Sequence, residues 1–259
     1  MTSGEAVRTI GVVATSVGLP RLLARRGGEA VYSGIAKQPV SSGTVLWLSL
    51  VNLAGDGQAD LDVHGGRDKA VYAYPSEHLS EWQSELGGPL GSAPFGENLS
   101  TQGAAETDVC IGDIWRWDAA ILQVCQPRWP CFKLALHRGR PDVQALMRRN
   151  GRTGWYLRVL QPGEVTIGSP IEAVQVDAEH LTVADAHRAM GDRHLSEPDL
   201  LRRLVGNPAL VVTISRVESS LGRAAVQPGL TSDTSDDDLG DGSLLWWGRS
   251  AVEILSAGG

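Results

Sequence analysis

No apolar run in the 259 residues approaches the roughly eighteen that a membrane-crossing helix needs, so no membrane-embedded protein is expected. Met1 to Arg8 also lacks the charged start and apolar block of a secretory signal, and the expectation is a soluble cytoplasmic protein with no membrane partner. Cysteine is scarce: Cys110, Cys125 and Cys131 are the only three. An odd set without zinc-ligand spacing argues against a disulfide framework and a structural zinc site, and leaves each thiol as core, reactive group or lone ligand. Lysine is equally scarce, with Lys37, Lys69 and Lys133 set against twenty arginines. In a chain that uses arginine almost everywhere, a retained lysine suits a place needing a compact, strongly hydrated ammonium. Walker, G-x-G-x-x-G, G-x-S-x-G and H-E-x-x-H patterns are all absent. Their absence removes support for a nucleotide phosphate loop, a serine hydrolase elbow and a zinc protease helix.

What is present is an uneven distribution of charge. The formal net charge of −7 disfavours non-specific nucleic-acid binding by the molecule as a whole, and no nucleic-acid partner is expected. From Ala119 to Gly163, however, Arg128, Lys133, Arg138, Arg140, Arg148, Arg149, Arg152 and Arg158 meet a single acid, Asp142. Such a block is either a solvated helix face or an anion site. Cys131 lies inside it.

Short β-branched or aromatic segments bounded by Gly, Pro, Asp or Asn read as strands: Thr9 to Val17, Thr44 to Leu53, Ala70 to Tyr74, Asp113 to Trp117, Ala120 to Val124 and Gly154 to Leu160. Many short strands with few helices between them favour a barrel or sandwich, so the expected class is mainly β with some α. Helices are expected from Pro75 to Leu86 and from Pro141 to Arg149, each stopped by Gly. After about Asp177 three short helices are expected, opened by Thr182, by Ser196 and by Asn207 with Pro208, the last running to about Leu221. The expected organisation is a β-barrel domain over 1–176, a small three-helix subdomain over 177–223, and a flexible acidic linker with a C-terminal anchor over 224–259.

Cys131 sits just after Pro127 and Pro130, with Arg128 three residues before it and Lys133 two after. Neighbouring cations favour thiolate over thiol, and a soft thiolate suits a soft or high-valent metal. A buried apolar thiol is the competing reading. Cys125 beside Val124, and Cys110 between Val109 and Ile111, read as core. The run His64-Gly65-Gly66-Arg67-Asp68-Lys69 is either an anion-binding turn flanked by His64 and Lys69 or an ordinary hairpin turn. Glu97 and Asn98, in Phe95-Gly96-Glu97-Asn98-Leu99, either recognise a heterocycle edge or satisfy local backbone groups. His78, His180, His187 and His194 read as surface residues.

Six segments taken in order resemble the MOSC family, the molybdenum cofactor sulfurase C-terminal domain, and within it the YiiM-like bacterial branch. They are Asp56-Gly57-Gln58-Ala59-Asp60, the His64-Gly65-Gly66 turn, Tyr74-Pro75, Phe95 to Leu99, Gly112-Asp113, and Gln126-Pro127-Arg128-Trp129-Pro130-Cys131-Phe132-Lys133. The resemblance runs from about Ile10 to Val176, through Val17-Gly18-Leu19-Pro20-Arg21 and Ile35-Ala36-Lys37-Gln38-Pro39-Val40, and extends to the helical tail. It implies a MOSC-type β-barrel that binds a pyranopterin molybdenum cofactor, with Cys131 as metal ligand. It also implies reduction of N-hydroxylated substrates such as hydroxylaminopurines, amidoximes and hydroxylamines. Arg128, Lys133 and Lys69, with Arg21, Lys37 or Arg158, are the candidates to hold the cofactor's phosphate or pterin, together with His64, Glu97 and Asn98. The chain shows no flavin or iron–sulfur motif, so a separate electron-donating reductase is the expected partner; a homodimer is left open. Trp129 stands where smaller residues also fit the motif and is expected to narrow the pocket beside the thiolate. Two alternatives stay open: a non-catalytic cofactor carrier or sulfur-transfer module, and a phosphoanion or nucleic-acid binding module.

Overall fold

A computed structural model describes residues 8–59, 65–191 and 196–211. Its strands are β1 (Arg8–Val17), β2 (Arg21–Arg26), β3 (Glu29–Ser33), β4 (Gln38–Pro39), β5 (Val45–Leu48), β6 (Val71–Pro75), β7 (Leu99–Gln102), β8 (Ile114–Trp117), β9 (Ala120–Pro127), β10 (Trp155–Gln161), β11 (Gly163–Thr166) and β12 (Ile171–Gln175). Its helices are α1 (Leu79–Leu86), α2 (Phe132–Arg138), α3 (Val143–Asn150), α4 (Val183–Gly191) and α5 (Pro198–Gly206). The order β12-β8-β9-β10-β6-β7-β1 closes on itself because β1 also pairs with β12, setting Arg8 opposite Ala173 and Ile10 opposite Ile171. The result is a seven-stranded barrel, antiparallel except for the parallel pair β6–β7. Closure removes the free edges that an open sheet would expose.

Alternation explains which face of each strand fills the barrel. In β9, Ala120, Leu122 and Val124 are buried while Ile121 and Gln123 are half-buried. In β6 every residue is buried, because Val71 and Ala73 join the barrel core while Tyr72 and Tyr74 join a second cluster with Trp82, Phe95, Leu134, Val143 and Met147 under the outer helices. Trp115 and Trp155 meet edge to face inside the barrel, 5.8 Å apart at 88°. A Trp155→Ala protein is expected to lose about 3–5 kcal/mol of stability by urea unfolding, because the closed barrel cannot collapse onto the void.

Two helix expectations hold in their essentials. The α1 turn ends at Gly87 and α3 at Gly151, both left-handed at φ 72. Thr182 opens α4 through reciprocal bonds: its Oγ1 accepts the Asp185 N–H at 3.0 Å, and Asp185 Oδ2 accepts the Thr182 N–H at 3.1 Å. The other expectations need correction. The strand expected over Thr44 to Leu53 stops at Leu48, because Ser49 Oγ accepts the N–H groups of Val51 and Asn52 and bends the chain into a turn. At α5 the capping position is Glu197 instead of Ser196, with no side-chain cap bond, and Pro198 supplies the helical φ. Residues 207–211 form a turn, not a helix start, since the Asn207 side chain accepts the Ala209 N–H at 2.9 Å. The rest of that expected helix, the acidic linker and the C-terminal anchor lie outside the described residues. The α4 and α5 residues Val183, Ala186, Leu201 and Leu204 share the barrel's apolar cluster. Among the described residues no helix is long and apolar enough to cross a membrane.

Candidate functional site

The site begins at a bulge. Across β9 and β10, Leu157 faces Val124 and Tyr156 faces Gln126, so Cys125 is an extra residue in its strand. Alternation ends there, and Cys125, Gln126 and Pro127 are all buried. A bulge re-aims the chain beyond it, and here it delivers Arg128 to the outside of the barrel, where its N–H donates to the Gly154 carbonyl at 3.0 Å. Cys131 follows in extended conformation and opens α2. A cavity of about 110 Å³ lies where this turn meets the segment after β3 and the loop at Asp56. Two glycines let those last segments touch: a Cβ at Gly34 would stand 2.4 Å from the Gly57 carbonyl oxygen.

Six of the sequence-derived candidates, Cys131, Arg128, Lys133, Lys69, Lys37 and Asn98, line this one cavity. Cys131 is half-buried there, whereas Cys110 and Cys125 are buried and burial pushes their thiols up to about 11 and about 12. Arg128, only 5% exposed, sets its guanidinium over Tyr72 and hydrogen-bonds Tyr156 and Met147 Sδ. Lys37 is ion-paired to Asp56 in the wall. Burial holds its ammonium below the usual range despite the attraction of Asp56. Burial also raises the Tyr72 and Tyr156 phenols, so both stay protonated.

Asn98 spends its carboxamide on the protein. Its Oδ1 accepts the Tyr72 N–H at 3.0 Å, and its Nδ2 donates to Asp56 Oδ2 at 2.9 Å and to the Ser16 carbonyl at 3.2 Å. Glu97 lies fully buried and does not line the cavity; its oxygens accept the Phe95 N–H at 3.0 Å and the Ser100 hydroxyl at 3.3 Å. The observed bonds of Glu97 are local, while those of Asn98 join segments distant in sequence at Tyr72, Ser16 and Asp56. Arg21 is exposed on β2, outside the cavity wall. His64 lies outside the described residues, and the neighbouring Gly66 N–H donates to Gln58 Oε1 at 2.8 Å. Arg158 reaches Asp68 at 2.9 Å and the Ala209 carbonyl at 2.8 Å, tying the C-terminal turn to the barrel.

Burial pushes the Glu97 carboxyl up to about 7, against hydrogen bonds from the Glu97 and Phe95 backbone and from Ser100, and against the Arg128 charge. The native state then holds a proton that the unfolded chain has already lost. This group's contribution to stability therefore falls as pH rises from about 4.5 to about 7 and is level above that. A Glu97→Gln protein is expected to lack that fall, which urea midpoints measured across the same range will show.

Sequence reasoning missed Asp56, Tyr72 and Tyr156 as members of the wall. The alternating tyrosines of Val71-Tyr72-Ala73-Tyr74 carried a signal, since an aromatic outward face on a barrel strand needs a cover. Two histidines expected at the surface are not there. His187 is 6% exposed, with Nε2 2.8 Å from the Arg148 carbonyl. His78 is largely covered and sits 2.7 Å from Glu106.

A family model described as the MOSC domain matches residues 60–172. The chain is 42% identical over 177 residues to the Bacillus subtilis uncharacterized protein YflK, covering 68% of this chain and 79% of that one. It is 46% identical over 149 residues to YiiM of Escherichia coli, covering 56% and 66%. A Gibberella moniliformis protein named as a reductase is 34% identical over 174 residues, which are 66% of this chain and 30% of that one. The crystal structure of YiiM from Geobacillus stearothermophilus matches with a TM-score of 0.66 at 30% identity, covering 82% of this chain and 98% of that one. Barrel, motif order and relatives agree: the chain belongs to the MOSC domain family, in its YiiM-like group.

Proposed function

We propose that this protein is a molybdenum cofactor-dependent reductase of N-hydroxylated compounds, with the Cys131 thiolate as metal ligand. The observation that carries this reading is the convergence of Cys131 with Arg128, Lys69 and Lys133 on one cavity. That donor set fits the group. A soft thiolate suits the metal, and cations of both geometries suit a phosphate. Among the described residues no cluster of three His, Cys, Asp or Glu offers another metal site. The name of the fungal relative supports the reaction class.

When bound, the cofactor would supply the two-electron redox chemistry. The overall change is balanced as R–NHOH plus two electrons and two protons giving R–NH2 and water, with the N–O bond broken and the nitrogen reduced. Cys131 holds the metal. Arg128, kept rigid by Tyr72, Tyr156 and Met147, and the two lysines hold the phosphate. The Tyr156 phenol keeps its proton in the cavity wall at neutral pH. The electrons come from a separate reductase, because the chain has no flavin or iron–sulfur motif. Protein purified from a host that makes the cofactor should convert a hydroxylaminopurine to the aminopurine with an artificial electron donor. Molybdenum-loaded protein that reduces no N-hydroxylated compound would overturn the reductase reading in favour of a carrier.

A further inference from the structure

Trp129 stands two residues before Cys131 in the same cavity wall, and two helices outside the wall fix it. Arg148 of α3 carries its guanidinium over the indole, 5.2 Å from the ring centre. His187 of α4 sets its imidazole against the same indole, with centroids 5.3 Å apart and planes tilted by 38°. A Cβ added to Gly191, the last residue of α4, would lie 3.8 Å from the indole edge, so α4 ends beside the ring. The two helices are also tied to each other, since His187 Nε2 lies 2.8 Å from the Arg148 carbonyl oxygen. Between Trp129 and Cys131, the Pro130 carbonyl accepts bonds from Arg148 Nη2 at 3.0 Å and Gln144 Nε2 at 3.1 Å.

An indole held this way cannot yield to a bulky ligand without breaking the clamp. The geometry points to Trp129 as the residue that limits the bulk of what reaches Cys131, with His187 as the positioning residue that keeps the indole in the wall. This deepens the reductase reading and rests on Cys131 being its reacting centre: it restricts the substrates to N-hydroxylated compounds that are narrow at the reacting end. Burial lowers the His187 pKa, so the ring is neutral, its Nε2–H donates to the Arg148 carbonyl, and Nδ1 has no partner among the described residues. It also gives α4 a task at the site besides covering the barrel.

The test uses thiol alkylation, which needs no metal, on the full chain purified from a host lacking the cofactor. Iodoacetamide is the small probe and pyrenyl maleimide the bulky one, and peptide mass spectrometry reads the modification at Cys131. Trp129→Ala is expected to raise the pyrenyl maleimide rate about tenfold while the iodoacetamide rate stays within about twofold. Trp129→Phe should fall between, and His187→Ala should move the ratio of rates in the same direction by less. Buried Cys125 reports general loosening and should stay unreactive. A ratio unchanged in Trp129→Ala, or a gain at Cys125 equal to that at Cys131, overturns the assignment. A changed ratio in a protein that, once loaded, reduces no N-hydroxylated compound would leave the size limit standing and remove the reductase reading.

Discussion

Cys131→Ser is expected to abolish reduction of N-hydroxylated compounds while leaving the barrel folded. A serine hydroxyl is hard and stays protonated at neutral pH, so it replaces a soft anionic ligand with a poor one. The stability cost should be small, within about 1 kcal/mol, because the side chain is half-buried at a cavity wall and the change is nearly isosteric. The same change at Cys125 makes the contrast. That thiol is fully buried beside the bulge and donates toward the Asp68 and Tyr156 carbonyls, so Cys125→Ser should alter stability without removing the reaction. Comparing turnover and urea midpoints of the two proteins separates ligand from core.

Arg128→Ala combined with Lys133→Ala is expected to lower molybdenum occupancy by orders of magnitude. Charge-assisted hydrogen bonds of this kind are worth about 1.5–3 kcal/mol each, and two lost together multiply into the binding constant. Arg128 also supports the wall, so Lys133→Ala alone serves as the milder variant and should show roughly half the loss in free energy. Molybdenum content by elemental analysis, unchanged in the double variant, would remove both residues from the cofactor site.

Much of the barrel was legible because its strands alternate plainly: β1, β6, β8, β9 and β10 sit where β-branched and aromatic residues recur at period two. The β2–β3 hairpin was missed although Gly27-Gly28 lies at its tip with φ of 57 and 89, the conformation that a two-residue hairpin turn demands. Arginines at Arg21, Arg25 and Arg26 hid it, since the hairpin stands outside the barrel and needs no apolar face. Helix α2 escaped because it has seven residues, follows two prolines and buries only Leu134. At the site, the charge count marked the residues adjacent in sequence to Cys131, while the family resemblance singled out Lys37 and Lys69, in agreement with the rarity of lysine. Asp56, Tyr72 and Tyr156 come from separate strands and loops, and only closure of the barrel brings them together. The role of Asn98 depended on hydrogen bonds to residues as distant as Ser16 and Tyr72, which no local pattern encodes. His187 was hidden for the same reason, its partners being Trp129 and Arg148.

The most direct measurement of the central claim is X-ray absorption at the molybdenum edge, on wild-type protein and Cys131→Ser purified from a host that makes the cofactor. The ligand assignment predicts that the wild-type metal has one sulfur neighbour more than the variant, or that the variant holds no molybdenum at all. Equal molybdenum content with the same sulfur coordination in both proteins would contradict it.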